Sequence, residues 1–170
     1  MESRTSPLQP VEVKAFANLI LDWADQEKIE ISPMKLQKML FFCNADFIVA
    51  HGYPVIQQEF EAWDYGPVAP SIYAEFKSFR DKPIRTRAEI FDPITASKKL
   101  PVLGLDEDTK RFLLERFNFY KKFNAIVLSE LSHSRTGPWR QARSLFANGL
   151  NANRLISTKL IMEYHRLFDT

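Results

Sequence analysis

The chain has 170 residues, 45% apolar and 13% aromatic with 14 phenylalanines, a composition that excludes disorder and supplies one domain with a real core. Its formal charge of +2 gives no general reason to expect nucleic acid or a membrane surface as partner. A single cysteine, Cys43, excludes an intramolecular disulfide framework and any multi-cysteine zinc site.

Residues 1–10, "MESRTSPLQP", read as a polar leader without the apolar core of a signal peptide. No apolar run approaches the ~20 residues of a membrane span, so a cytoplasmic location without membrane contact is expected. Residues 11–170 read as one domain. From Val11 to Lys28, Phe16, Leu19, Ile20 and Trp23 recur at helical steps. The next helix is better punctuated: Ser32 as N-cap, Pro33 in the first turn, Gly52 as a left-handed cap and Pro54 as a stop. Leu36, Leu40, Cys43 and Phe47 form its apolar face, with Cys43 a reduced core thiol. Phe41 and Phe42 are adjacent, so either one is exposed or the buried stripe is wide.

In "FEAWDYGPVAP", Phe60, Ala62 and Asp64 alternate with Glu61, Trp63 and Tyr65, the period of a short strand. Gly66-Pro67 is expected to turn this strand into a helix, with Pro67 and Pro70 in its first turn and Val68, Ile72, Phe76 and Phe79 on one side. From Arg80 to Leu105 no helical period survives, and a small hairpin or an ordered loop is expected. Its basic residues Arg80, Lys82, Arg85 and Arg87 read as a charged surface loop.

Asp106 is the expected N-cap of a helix burying Leu113, Phe117 and Tyr120. A further helix, roughly Asn124 to His133, carries Val127, Leu128 and Leu131, and another opens at Pro138. Ser157 caps the last, with Ile156 and Ile161 as a hydrophobic staple and Leu160, Tyr164 and Phe168 packing inward. The fold class expected is mainly α: a compact single domain of six to seven helices with a minor β element, a short strand or hairpin.

Signals for catalysis are poor: no phosphate loop, nucleophile elbow or His-Glu-x-x-His run occurs. Glu130 and His133 share a helical face, but a di-iron site needs that step twice with two further glutamates. A local polar contact is expected there instead of a metal, and no cofactor or enzyme activity is expected. Between Glu130 and Glu163 there is no acidic residue, whereas Arg135, Arg140, Arg143, Arg154 and Lys159 fall there. Beside Trp139 these cations form a candidate partner-contact surface, for a protein or for phosphates and a stacked base. A solvated face over a buried Trp139 is the third reading.

Three stretches, "SPMKLQKMLFFCNADFIVAHGYPV", "FEAWDYGPVAPSIYAEF" and "LSELSHSRTGPWRQAR", together resemble the SocA-like antitoxin or Panacea domain family, a phage-associated domain formerly of unknown function. That family shows a Lys-Leu-Gln-Lys helix, a Phe-x-Ala-Trp-x-Tyr-Gly-Pro-Val segment, and a Ser/Thr-His followed by Pro-Trp. The resemblance runs from about Phe16 to Phe168; Ser132 stands where threonine is usual, and 80–105 match no fixed pattern. It implies a non-enzymatic antitoxin that binds and neutralises a toxin encoded beside it, with that toxin as partner. One alternative is a proteolytic adaptor handing the toxin to an AAA+ protease. The other is a nucleic-acid-binding regulator using Arg135–Lys159, which no helix-turn-helix or zinc pattern supports. The residues carried over are Trp63, Tyr65, Gly66, Pro67, Val68, Pro70, His133, Pro138 and Trp139. They form either a scaffold, with Trp63 and Tyr65 packed near His133 and the Pro138-Trp139 turn, or a partner-binding surface with both rings as anchors.

Overall fold

A computed structural model describes residues 9–166, with side chains through Tyr164; most of the leader and Phe168 lie outside the described residues. Helix α1 spans Val13–Gln26 and starts after Glu12, whose carboxylate accepts the N–H groups of Lys14 (2.6 Å) and Ala15 (3.1 Å). It starts two residues later than the periodicity predicts because Val11 is extended, bridged to Ile56 and donating its N–H to the Val55 carbonyl at 2.8 Å.

Helix α2, Pro33–His51, has the predicted ends: Ser32 Oγ accepts the Lys35 N–H, and Gly52 takes φ +83°. It is the central element, packed against the helices and strands on most of its sides. That surround settles the Phe41–Phe42 question in favour of a wide stripe. Phe41 is buried edge-on to Phe60 (5.3 Å, 82°), and half-buried Phe42 stacks on Tyr120 (5.1 Å, 19°). Cys43 is buried, and desolvation pushes its thiol well above the ordinary range, the state of a core thiol.

Strands β1 (Phe60–Trp63) and β2 (Gly66–Val68) form an antiparallel hairpin with Trp63 opposite Gly66 and Asp64-Tyr65 as the turn. Phe60 and Ala62 point inward and Glu61 and Trp63 half outward, the predicted alternation. The expected switch from strand to helix at Gly66-Pro67 is not what forms. Gly66 begins the return strand, Pro67 lies within it and Val68 ends it. The proline is tolerated because β2 is an edge of the sheet, where a missing donor leaves no ladder bond unmade. Pro70 alone starts helix α3 (Pro70–Phe76), which runs into a 3-10 turn at Lys77–Phe79.

Residues 80–105 contain the small hairpin, strand β3 (Ile90–Asp92) against β4 (Ser97–Lys99). The segment before it is ordered by specific contacts. Buried Asn18 bonds both backbone groups of Ala88 (2.9 and 2.8 Å), Arg87 pairs with Asp22 and Asp25, and Arg85 with Glu30.

Helix α4 (Glu107–Tyr120) is capped by Asp106, which accepts the Thr109 N–H at 2.8 Å, and buries Leu113 and Phe117 completely. Helix α5 (Ala125–Ser132) buries Leu128 but leaves Ile126 and Leu131 exposed. Helix α6 (Pro138–Ala147) begins at Pro138, and α7 (Thr158–Arg166) after Ser157, whose Oγ accepts the Leu160 N–H. Between them β5 (Leu155–Ile156), which the pattern did not reveal, pairs with β1 to give sheet order β2-β1-β5. Seven helices with two minor sheets thus make up the described residues. None of these helices is long and apolar enough to cross a membrane.

Candidate functional site

The β1–β2 hairpin is clasped from three helices. From α6, Trp139 Nε1 donates to the Trp63 carbonyl at 2.8 Å, and Arg143 donates to Asp64 Oδ1 (2.8 Å) and the Ala62 carbonyl (3.2 Å). The same guanidinium lies over the Trp139 ring, 5.1 Å from its centre. From α5, Ser129 Oγ donates to the Tyr65 carbonyl at 3.0 Å. From α2, Lys38 Nζ donates to the Pro67 carbonyl at 3.0 Å, while Gln37 bonds both backbone groups of Ala69 (3.1 and 2.8 Å). The Lys-Leu-Gln-Lys helix, the Trp-x-Tyr-Gly-Pro-Val hairpin and the Pro-Trp helix start are therefore one assembly.

Gly66 is at its centre, with φ +103°. A Cβ there would stand 2.6 Å from Ser132 Oγ and 2.8 Å from Lys38 Cε, so glycine is needed for both conformation and space. His133, the C-cap of α5, sets its ring against Trp139, 4.1 Å between centres at 67°. Burial is the first cause lowering its pKa, and the nearby Lys38 and Arg140 cations add to it; a backbone hydrogen bond at Asp64 acts in the opposite direction. The ring is thereby held neutral, and its Nε2 is buried without a hydrogen-bond partner among the described residues.

Beside the hairpin opens a cleft of about 600 Å³. One wall is aromatic: Trp63 and Tyr73 meet at 5.0 Å and 61°, with Trp63 Nε1 donating to Glu61, and Tyr65 stands 74% exposed at the hairpin turn. Met34, Val68 and Ile72 supply apolar surface, and Lys38, Lys77, Arg80 and Arg154 supply positive charge. Lys38 is 1% exposed, and desolvation pushes its pKa down to about 8.

The Trp63 carbonyl meets α6 through Trp139, but the two rings expected near His133 and the Pro138-Trp139 turn do otherwise. Trp63 packs on Tyr73 and Tyr65 is exposed, so neither joins the His133–Trp139 contact. Of the five basic residues between Glu130 and Glu163, the fold gathers three. Arg140, Arg143 and Arg154 line a second cleft of about 410 Å³ with Trp139 and Phe146. Arg154 lies over the Phe146 ring at 5.1 Å and also reaches the first cleft. Arg135 is exposed in the loop before α6, and Lys159 faces Glu163 at 3.7 Å on α7. Glu130 is exposed, and no group of three or more potential metal-ligating side chains is gathered among the described residues.

Sequence reasoning gave no role to Gln37, Lys38, Tyr73 or Lys77, and read Arg80 only as part of a charged surface loop. A signal was available for the first two. A glutamine and a lysine lie between Leu36 and Leu40 in a helix with apolar positions on most sides, where some polar side chains must be buried and bonded.

Residues 36–140 match the family model described as "Antitoxin SocA-like, Panacea domain". The chain is also 33% identical over 153 residues to "Antitoxin SocA" of Caulobacter vibrioides (strain NA1000 / CB15N), a match covering 90% of this chain and 79% of that protein. No solved structure matches it. A family model over more than half the chain, a relative aligned along nearly all of it, and an assembly built from the three shared motifs lead to one conclusion: the chain belongs to the SocA-like antitoxin family with the Panacea domain.

Proposed function

We propose that this protein is the antitoxin of a toxin–antitoxin pair and neutralises a toxin encoded beside it by binding it directly. The observation that carries the reading is the alignment with an antitoxin along 90% of the chain. The surface supports it: Tyr65 (74% exposed) and Tyr73 (45% exposed) are aromatic side chains of the kind that anchor protein interfaces. They stand on backbone fixed by Trp139, Ser129, Arg143 and Gln37, so little ordering entropy opposes their engagement.

A nanomolar complex corresponds to about 12 kcal/mol and an interface of ~1,600 Å². A contact of that area, centred on the cleft, would extend onto neighbouring surface. The test is co-expression with each immediate genomic neighbour, scored by growth and then by pull-down. A neighbour that arrests growth alone, and is relieved and bound by this protein, supports the proposal. Absence of any toxic or bound neighbour refutes it. Toxin abundance in the rescued strain separates masking, which leaves it unchanged, from delivery to a protease, which lowers it.

A further inference from the structure

We propose that the cleft beside the β1–β2 hairpin receives an acidic segment of the partner protein, with a carboxylate directed toward Lys38 and an apolar or aromatic side chain against Trp63 and Tyr73. This rests on the antitoxin reading and names the chemistry of its contact.

The argument is one of charge. Four cations line the cleft, Lys38, Lys77, Arg80 and Arg154, and none forms an ion pair among the described residues. In the loop that begins at Arg80, Arg85 takes Glu30, and Arg87 takes Asp22 and Asp25. The one carboxylate lining the cleft, Asp64, is already matched to Arg143. The cleft is thus left with unbalanced positive charge on a chain whose formal total is only +2.

Lys38 is the most constrained member. An ammonium has three N–H donors, and this buried one has a single acceptor, the Pro67 carbonyl. A buried charge without a partner is costly, and burial has already moved Lys38 toward its neutral form. An arriving carboxylate would offset that cost inside a low-dielectric site, where a paired contact is strongest. The cations ring one cleft with apolar side chains beneath the rings, instead of tracking along a surface as a nucleic-acid backbone requires. That arrangement favours a peptide segment.

The experiment uses the full chain and the neighbour-encoded toxin that it binds. Binding is measured by calorimetry for the wild type, for the rim double variant Lys77→Glu/Arg80→Glu, for Lys38→Met, and for Arg111→Glu on α4 as a control. Overlapping synthetic peptides tiled along the toxin serve as competitors. The expected result is a loss of at least 100-fold for the rim variant with an unchanged melting temperature, and a comparable loss for Lys38→Met. Arg111→Glu should be unaffected, and competition should be confined to peptides carrying Asp or Glu beside an apolar residue. The rim residues are exposed, so their variants stay informative if Lys38→Met fails to fold. Toxin binding by the rim variant within threefold of wild type overturns the inference and leaves the antitoxin reading standing. A wild type that binds no neighbour removes that reading and this one with it. A 20-nucleotide single strand that binds the wild type and not the rim variant, without displacing toxin, overturns it in favour of nucleic acid.

Discussion

Gly66→Ala, set beside Gly52→Ala, isolates the packing demand at the motif's centre. Both glycines have positive φ, +83° at Gly52 and +103° at Gly66. Nothing lies within 4 Å of a Cβ built at Gly52, whereas one at Gly66 meets Ser132 Oγ at 2.6 Å, Lys38 Cε at 2.8 Å and Lys38 Nζ at 3.0 Å. Placing alanine in a left-handed conformation costs about 1–2 kcal/mol, partly offset by ~0.5 kcal/mol through its stiffer unfolded chain. Gly52→Ala should therefore lose about 1 kcal/mol. Gly66→Ala carries at least that cost, its φ lying beyond the left-handed well, plus ~1–3 kcal/mol for forcing neighbours aside. Lys38 is long, but at 1% exposure it has little room to retreat, and Ser132 is short and bonded to the Ser129 carbonyl at 2.6 Å. A total near 3 kcal/mol follows, or a melting temperature lower by roughly 6–12 °C for a chain of this size. Urea unfolding at unchanged m-value is the assay. Adding Ser132→Ala to Gly66→Ala should recover part of the loss as a coupling between neighbours. If Gly66→Ala is no more destabilised than Gly52→Ala, the close approach of Ser132 and Lys38 is wrong.

Three further outcomes are expected. Tyr65→Ala should leave stability within about 0.5 kcal/mol, since the ring is 74% exposed, while weakening toxin binding; a lost fold would return Tyr65 to the scaffold. Gln37→Ala strips the N–H of fully buried Ala69 of its partner, while the Ala69 carbonyl keeps the N–H groups of Ile72 and Tyr73; it should cost ~1–3 kcal/mol for the one orphaned group, checked by denaturation against Gln37→Glu. Lys38 has a folded pKa of about 8 against an ordinary 10.5, so between these values the unfolded state binds more protons and stability rises with pH. The wild type should gain ~3 kcal/mol on Lys38→Met from pH 8 to 10.5, with a pH-independent gap as the refuting result; the difference cancels Cys43 and Tyr120, which work in the opposite direction.

What was legible in the sequence depended on whether a local rule decided the outcome. Ser32, Gly52, Asp106 and Pro138 mark helix ends through backbone groups that each residue type satisfies or relinquishes by itself, and the structure has its ends there. The fate of Gly66-Pro67 was not local. Glycine and proline suit a helix start as well as an edge strand, and the choice was made by Ala62 and Trp63 pairing across and by Lys38 capturing the Pro67 carbonyl. Two-residue β5 carries no period at all and exists because β1 had a free edge. Ion pairing was equally hidden: Arg80 and Arg87 belong to one basic run, yet Arg87 reaches two aspartates on α1 and Arg80 reaches the cleft.

The choice between scaffold and binding surface, posed for the motif as a whole, divides at the level of single side chains. Gln37 and Lys38 are consecutive and both reach the end of the same hairpin. Gln37 matches one donor and one acceptor to the two backbone groups of Ala69, which completes the pairing a strand neighbour would give. Lys38 brings a charge and three donors to one carbonyl, more than holding Pro67 requires, since a neutral donor would serve there at less desolvation cost. The same contrast separates Trp139, whose only donor is bound to the Trp63 carbonyl, from Tyr65, whose ring meets solvent. Neutral side chains bonded to the hairpin backbone hold it in place; those left with unmatched charge or exposed rings face the cleft. On that division Trp139, Gln37 and Gly66 support the hairpin, and Lys38, Tyr65, Tyr73 and Arg80 are the side chains proposed for contact. Under the proposed antitoxin function, the first set would serve folding and the second would meet the toxin.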